Sequence, residues 1–203
     1  MKITLKAAAY MAIALSMGLA NTAIAFEPGD WLIRAGVSGV DPKSENDDVV
    51  SVDDSTSATF NFTYMMTDIW GLELLLAYPF EHDITLMDRT KIGSTKQLPP
   101  TLSIQYHFRP TQKLQPYWGV GLNYTTFSSE KTTGPIEGTR LSLGASWGWA
   151  GQVGFDVLMN DDWFFNLDVR YISMDTKATL DGVSLGTVNL DPWVYGAHIG
   201  YRF

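Results

Sequence analysis

The last eleven residues of the chain, WVYGAHIGYRF at positions 193–203, alternate strictly between two kinds of side chain. Successive side chains of a β-strand point to opposite faces, so this segment predicts a strand with one ring-rich face and one small or polar face. Seven further segments with related alternation lie at about residues 30–40, 56–66, 69–79, 98–109, 115–127, 146–159 and 162–174. The pattern therefore predicts an all-β protein with eight strands.

The connectors between these segments alternate in length. Those at 67–68, 109–114 and 160–161 are short, whereas those at 41–55, 80–97, 128–145 and 175–190 each span about 15 to 18 residues. Short turns on one side, long loops on the other and an even strand count are typical of barrels in bacterial outer membranes. We predict an eight-stranded antiparallel transmembrane β-barrel over residues 26–203, with short periplasmic turns and long extracellular loops.

The first 25 residues have the features of a secretory signal. Lys2 and Lys6 accompany an apolar run of 14 residues at 7–20, and a small-x-small cleavage site at 23–25 precedes Phe26. A run of that length is too short to be a transmembrane helix. We therefore expect residues 1–25 to be a cleaved signal peptide and the mature chain to be exported. Because the chain has no cysteine, no disulfide contributes to its stability.

The chain is acidic, with a formal net charge of −8. Nucleic-acid binding needs basic surface, so we expect no nucleic-acid partner. Residues 41–54 carry six acidic side chains against one lysine, Lys43. This segment is interpreted as a solvated outer loop; the alternative is a divalent-cation site shared with lipopolysaccharide. Its spacing does not match the calcium loop of an EF-hand.

In each strand, one set of alternate positions carries the polar side chains; we call this set the polar parity, and it shows which face is inside. It carries charged residues such as Glu73, Asp156, Asp168 and Arg170. A charge facing the centre of a bilayer costs on the order of 3 kcal/mol, so this parity is predicted to line the lumen. The opposite orientation would describe a soluble lipocalin-like barrel, which normally has an apolar interior.

Aromatic residues of the other parity lie near both ends of the strands, as expected for the two interfaces of a membrane wall. The predicted girdle comprises Trp31, Trp70, Trp118, Trp163, Tyr201 and Phe203 at the periplasmic ends, with Tyr78, Tyr124, Trp149 and Trp193 nearer the outer ends.

Several short motifs are specific enough to indicate a family. They are FNFTYM at 60–65, GLELL at 71–75, LPPTL at 98–102, PYWGVG at 116–121, NYTTF at 123–127, SWG at 146–148, GQVG at 151–154, DPW at 191–193 and GYRF at 200–203. Together they make the mature chain resemble the OmpW family along essentially its whole length. The resemblance implies an outer-membrane barrel with a narrow, largely apolar channel that takes small hydrophobic molecules inward and releases them sideways into the bilayer. Some members of the family are colicin receptors.

The resemblance also implies where the channel is narrowest. Leu75 matches a Leu at the family's constriction, but Arg170 occupies the position of its Trp. Arg170 thus places a cation beside an apolar collar, and we expect it to pair with Asp168, Asp156 or Glu73, since a charge inside a narrow barrel must be compensated. Above these charges, Leu75 and Met65 with the small residues Ala77, Gly119 and Gly121 are expected to leave room for a cavity.

Three prolines suggest an exit through the wall. Pro79 closes the third predicted strand, and Pro99 and Pro100 open the fourth. Each proline removes a donor from the β-ladder, so a lateral window between lumen and lipid is predicted here. The plainer interpretation is that these prolines only mark strand ends.

Neither catalytic nor metal-binding chemistry is indicated. Residues 144–148 match the G-x-S-x-G pattern, but that motif needs a strand-to-helix elbow that an all-β barrel lacks. The three histidines do not have metal-ligand spacing, so no catalytic residue, cofactor or metal is predicted.

Two functions are favoured from the sequence; a third, an enzyme acting in the lumen, has no local motif in its support. The first is a porin-like passive channel for small hydrophobic solutes, and the second is a structural or receptor barrel with a plugged lumen. In either case the expected partners are outer-membrane lipid, lipopolysaccharide and, through the terminal Phe203, the barrel-assembly machinery. Eight strands enclose too little space for a wide aqueous pore.

Overall fold

The protein is a β-barrel with strand-built extensions at one end. The computed structural model describes residues 26–42, 50–86, 90–108 and 113–203. The strands are β1 (Trp31–Asp41), β2 (Val50–Val52), β3 (Ser55–Met65), β4 (Trp70–Ala77), β5 (Phe80–Leu86), β6 (Lys91–Leu98), β7 (Thr101–His107), β8 (Leu114–Thr132), β9 (Leu141–Leu143), β10 (Ser146–Leu158), β11 (Trp163–Ile172), β12 (Asp175–Leu180), β13 (Val183–Asn189) and β14 (Trp193–Arg202).

Helical structure is minimal in these residues. A single 3-10 turn, Gly134–Ile136, occurs in the described part of the chain. Within the same residues we find no helix whose length and hydropathy would let it cross a membrane. The predicted signal peptide, residues 1–25, lies outside the described residues.

Eight of the strands close into the barrel. Their order around the wall is β1, β3, β4, β7, β8, β10, β11 and β14, and every neighbouring pair is antiparallel. The seam pairs β1 with β14 from Leu32 opposite Arg202 to Asp41 opposite Trp193. The predicted eight-stranded barrel is confirmed, and each predicted segment overlaps one wall strand. The largest difference is at β8, which runs on to Thr132 beyond its predicted end at residue 127.

Alternation along the strands separates two environments, as predicted. On β4, Glu73 is completely buried while its neighbour Leu74 is 37% exposed. The same contrast holds for Asn61 beside Phe60 and for Gln105 beside Ile104. Buried polar groups inside an exposed apolar wall reverse the arrangement of a soluble barrel.

Nine of the ten predicted girdle residues, all except Tyr78, belong to two sets of touching rings. At the end with the short turns, Trp31 packs on Tyr64 and Trp70 on Tyr106, each with ring centroids 5.1 Å apart. Further pairs at this end join Tyr106 to Trp118, Trp163 to Tyr201, and Tyr201 to Phe203. At the other end the pairs are Tyr124 with Trp147, Trp149 with Tyr171, and Tyr171 with Trp193.

The long outer connections between wall strands contain strands of their own. β5 and β6 form a hairpin that extends the wall, because β6 pairs with the outer part of β8 from Leu98 opposite Thr126 to Gly93 opposite Thr132. β12 and β13 form a second hairpin, with β9 on its other edge. In the acidic segment 41–54, residues 43–49 lie outside the described residues, and Asp53 and Asp54 are exposed.

Spin labels provide a direct test of the outward parity. We expect labels at Leu74, Ile104 and Ile199, all more than a third exposed, to collide with dissolved oxygen and to be shielded from a water-soluble nickel chelate. A label at Val183, in the outer hairpin, should show the opposite preference and serves as the control. Chelate access at the three wall positions would overturn the assignment of the faces.

Candidate functional site

The barrel interior is layered. Near the short turns lies an apolar floor cluster made of Phe26, Leu32, Met65, Leu158 and Phe164. Near the long extensions lies an apolar mouth cluster made of Val40, Phe80, Ala150, Ile172, Met174, Leu190 and Val194. Between them lies a charged network made of Arg34, Glu73, Asp156, Asp168, Arg170 and His198, each at most 4% exposed.

Glu73 joins the two arginines of the charged network. Its carboxylate accepts a hydrogen bond of 2.7 Å from Arg170 Nη1 and lies 3.6 Å from Arg34 Nη1. Gln105 Nε2 donates to Glu73 Oε2 at 2.7 Å, and Gln152 Nε2 donates to Glu73 Oε1 at 3.1 Å. Both carboxylate oxygens are thus satisfied by donors from other strands, which is the arrangement that a buried charge requires.

Arg34 forms the second centre of the network. Its Nε and Nη2 donate to the two oxygens of Asp156 at 3.1 and 2.8 Å, in a bidentate pair. The guanidinium also lies 5.4 Å from the ring centroids of both Tyr117 and Phe164. Because β1 and β10 are not neighbours in the wall, this ion pair spans the lumen.

Arg170 pairs with two of the three carboxylates expected for it. Its Nε donates to Asp168 Oδ1 at 2.8 Å, and its Nη1 donates to Glu73. The third candidate, Asp156, binds Arg34 instead. His198 lies at the edge of the network, with Nδ1 3.4 Å from Asp168 Oδ2.

The charged network fills the middle of the barrel. An eight-stranded barrel has just enough interior for side chains, and here that space is occupied by two guanidiniums, three carboxylates and their hydrogen-bond partners. The guanidiniums and carboxylates alone come from four different wall strands, β1, β4, β10 and β11. Side chains that are buried and tied to one another in this way form a plug between the mouth cluster and the floor cluster.

Of the residues expected to line the channel, Leu75 faces the interior as predicted, whereas Met65 and the glycines differ from the prediction. Leu75 faces inward on β4, two residues further out than Glu73, and is 4% exposed. Met65 belongs to the floor cluster, so its expected place in a cavity above the charges is wrong. The glycines do not leave open space there either: a Cβ on Gly119 would lie 2.8 Å from Gln152 Nε2, and one on Gly121 would meet Ser103.

The wall changes at the three prolines. The β4–β7 ladder ends with Leu75 opposite Thr101, and the β5–β6 ladder begins with Phe80 opposite Gln97. Among the described residues, no cross-strand pair joins 76–79 to 98–100; we call this interval the proline gap.

Each side of the proline gap is hydrogen-bonded to the wall strand on its far side, β3 for residues 76–79 and β8 for residues 98–100. Tyr78 N donates to Ala58 O on β3 at 2.8 Å. On the other side, Tyr124 N donates to Pro100 O at 3.0 Å, and Asn123 Nδ2 donates to the carbonyls of Pro99 and Pro100 at 3.2 Å. The two sides are therefore anchored apart rather than to one another.

The mouth cluster adjoins the proline gap. Phe80 directly follows Pro79 and is 1% exposed, and Ala77 packs against the same cluster from the end of β4. On the opposite side, Gln97 Nε2 donates to Met174 Sδ at 3.4 Å. An apolar interior thus lies immediately behind an unpaired stretch of the lipid-facing wall.

Sequence reasoning missed the residues that build this outer part of the site. Leu190 falls in the segment 175–190, which was interpreted as a loop, so its inward direction was not inferred. Ile172 and Met174 fall in the predicted strand 162–174 with its inward parity, but they were not singled out. The proline anchor Asn123 gave a usable signal, because it has the inward parity of β8 and lies opposite Thr101. Ser146 of the G-x-S-x-G match is the first residue of β10, where it pairs with Thr125, and it is not at a strand-to-helix elbow.

Comparisons with known proteins agree with this architecture. The OmpW family model matches residues 27–203. Outer membrane protein W of Escherichia coli is 41% identical over 205 residues, covering 95% of this chain and 97% of that protein. The crystal structure of the outer membrane protein OprG from Pseudomonas aeruginosa superposes with a TM-score of 0.76 at 36% identity, covering 87% of this chain and 97% of that one. The dibenzothiophene metabolism operon protein PahQ of Pseudomonas aeruginosa is 26% identical over 158 residues, 74% of this chain and 72% of that protein.

Proposed function

Because the chain belongs to the OmpW family and is an integral barrel of the bacterial outer membrane, we propose that it admits small hydrophobic molecules passively from outside. In this proposal the molecules enter at the mouth cluster and leave sideways through the proline gap into the bilayer. The protein carries out no reaction on them and needs no cofactor.

One observation carries the proposal: the apolar mouth cluster adjoins the proline gap, and the charged network lies below both. An oily molecule among Phe80, Met174 and Ala77 is separated from lipid only by residues 76–79 and 98–100. Leaving by this route breaks no ladder hydrogen bonds between those two segments. Apolar contact favours the molecule on both sides of the wall.

The downward route is unfavourable for the same molecule. It would have to separate Glu73 from Arg170 and Arg34 from Asp156, all of them buried. Breaking a buried ion pair leaves uncompensated charge and costs about 3–5 kcal/mol for each pair. The interior thus favours sideways release over passage to the periplasm.

A relative supports the choice of hydrophobic cargo. PahQ is named for the metabolism of dibenzothiophene, a fused-ring aromatic compound with little solubility in water. An apolar mouth in a similar chain suits molecules of that general kind.

The alternative function is a receptor or structural barrel with a plugged lumen. The charged network favours it, because the middle of the barrel is filled by side chains at most 4% exposed. On this view the outer hairpins, rather than the mouth cluster, would be the functional part. The two functions differ in whether the wall has to open at the proline gap.

A reversible clamp across the proline gap tests the proposal. Continuing the β4–β7 register places Tyr78 opposite Leu98, both facing outward, and the native chain has no cysteine. In the variant Tyr78→Cys with Leu98→Cys, oxidation joins the two segments when they approach to disulfide distance, and the loss of free thiol shows that the clamp has formed. We expect oxidation to slow uptake of a fluorescent hydrophobic probe by intact cells about tenfold, equivalent to about 1.4 kcal/mol in the barrier, and reductant to restore it.

The matched control carries Leu74→Cys with Leu102→Cys, which face outward from a pair in the intact ladder. Oxidation of this control should leave uptake unchanged. If the clamped gap transports the probe as fast as the reduced one, lateral exit is wrong. If cells with the wild-type protein take up no more probe than cells without it, the plugged alternative is supported.

A further inference from the structure

Two buried polar side chains face inward just beyond the mouth cluster. His82 on β5 and Thr95 on β6 are directly opposite one another, and they are 1% and 4% exposed. They lie one inward position further out than Phe80 and Gln97. His82 Nε2 and Thr95 Oγ1 have no hydrogen-bond partner among the residues that the structure describes. Buried polar atoms without partners are unusual and call for an explanation.

The hydrogen-bonding character of His82 is fixed by its other nitrogen. Nδ1 lies 2.8 Å from the carbonyl oxygen of Asp53, which can only accept, so Nδ1 carries the hydrogen. Burial lowers the pKa of His82, and the hydrogen bond to Asp53 and the nearby Gln97 side chain offset this only in part. The ring is therefore neutral at pH 7, and Nε2 presents a lone pair.

Thr95 complements that lone pair. Its hydroxyl both donates and accepts, and cross-strand neighbours on one face have their Cβ atoms about 5 Å apart. The next polar group along the face, the Gln97 amide, donates to Met174 Sδ. The pair thus offers one acceptor and one hydroxyl to a single small polar group, beside the ring of Phe80.

We propose that the mouth binds small alcohols, whose hydroxyl donates to His82 Nε2 and accepts from Thr95 Oγ1 while the hydrocarbon body packs on the mouth cluster. This inference rests on the proposed function, because it names the cargo of the same site. A hydroxyl satisfies both protein groups at once. An ether of equal size leaves the Nε2 lone pair unsatisfied, and a carboxylate opposes it with its own lone pairs.

The expected preference is measurable. A site built to hydrogen-bond a hydroxyl rejects an analogue that lacks the donor, so we expect 1-hexanol to bind about tenfold more tightly than its isomer methyl pentyl ether. A purely structural role for His82 and Thr95 gives no preference between the two isomers.

Nitrogen-15 NMR of the histidines in lipid nanodiscs tests this. The full barrel, labelled on histidine, is titrated with 1-hexanol and separately with methyl pentyl ether, and the His82 signals are assigned with His82→Gln. We expect 1-hexanol to cause a saturable shift of the His82 Nε2 signal and the ether to cause none. His107 and His198 lie among the wall strands and serve as internal references.

Thr95→Val supplies a near-isosteric variant that keeps the strand. It should weaken 1-hexanol binding about tenfold, whereas Ser94→Ala on the other face of β6 should have no effect. Equal shifts with both isomers, or no shift with either, would overturn the alcohol site. This binding readout is independent of transport. Alcohol binding with an ineffective clamp refutes only lateral exit, and an effective clamp without alcohol preference refutes only this inference.

Discussion

Replacing Glu73 with Ala is expected to lower the free energy of unfolding by about 3–5 kcal/mol. The side chain is completely buried and accepts hydrogen bonds from Arg170, Gln105 and Gln152. Without it, Arg170 keeps only Asp168 as an anionic partner, and two amide groups lose their acceptor. Urea unfolding of the barrel in lipid vesicles, followed by the fluorescence of its seven tryptophans, measures the change.

Two controls separate lost charge from lost side chain. Glu73→Gln keeps an acceptor oxygen for Arg170 but no charge, so we expect a smaller loss than for Ala. Glu81→Ala removes an exposed carboxylate whose ion-pair partner is Lys96, and we expect no measurable change. If Glu73→Ala behaves like Glu81→Ala, the charged network does not hold the barrel together.

Replacing Gly36 with Ala is expected to prevent closure of the barrel. Gly36 lies opposite His198 at the seam between β1 and β14. A Cβ at this position would run into the carbonyl oxygen of Ala197 and lie 2.7 Å from His198 Cα. Both obstacles are backbone atoms of the partner strand, so no side-chain rotation relieves the clash, and β14 itself would have to move.

The measurement is the gel shift by which a folded barrel migrates differently before and after boiling. Wild type should show the folded band after refolding into lipid, and Gly36→Ala should lack it. Gly39→Ala on the same strand is the matched control, since the nearest atom to its Cβ would be 3.8 Å away. A folded band of normal intensity for Gly36→Ala would show that the seam has more room than the structure gives it.

The wall was predictable because its physics is local. A strand such as β3 meets lipid on one side and side chains on the other, so Phe60 and Phe62 alternate with Thr59 and Asn61. The two environments differ so strongly that a period of two identifies the strand and its faces together. The expectation that Arg170 would pair inside the lumen follows from the same alternation and the cost of unpaired charge.

Contacts across the lumen were harder to predict from the sequence. Arg34 and Asp156 are 122 positions apart and belong to strands that are not neighbours in the wall, so their pairing depends on the closed shape. Met65 is the last residue of β3 and directly precedes the short turn, so the strand direction places it at the floor; the expectation of a cavity above the charges used its parity but not its depth.

The outer hairpins could not be inferred from alternation because their environment has no sharp boundary. In β5, Phe80, His82 and Ile84 face inward while Glu81 and Asp83 face water, so a buried histidine interrupts the apolar series. The segment therefore has the composition of a loop although it forms a ladder. His82 and Thr95 belong to this part of the chain.

The length of β8 sets how far the protein stands above the lipid. Its 19 residues span about 60 Å along the strand, or about 45 Å along the membrane normal at a tilt near 40°. The apolar belt of such a barrel is only about 25 Å tall. The wall at β8 is therefore about 20 Å taller than the belt, so part of it stands outside the hydrocarbon core of the bilayer. A molecule that reached the mouth cluster would meet protein before it met lipid.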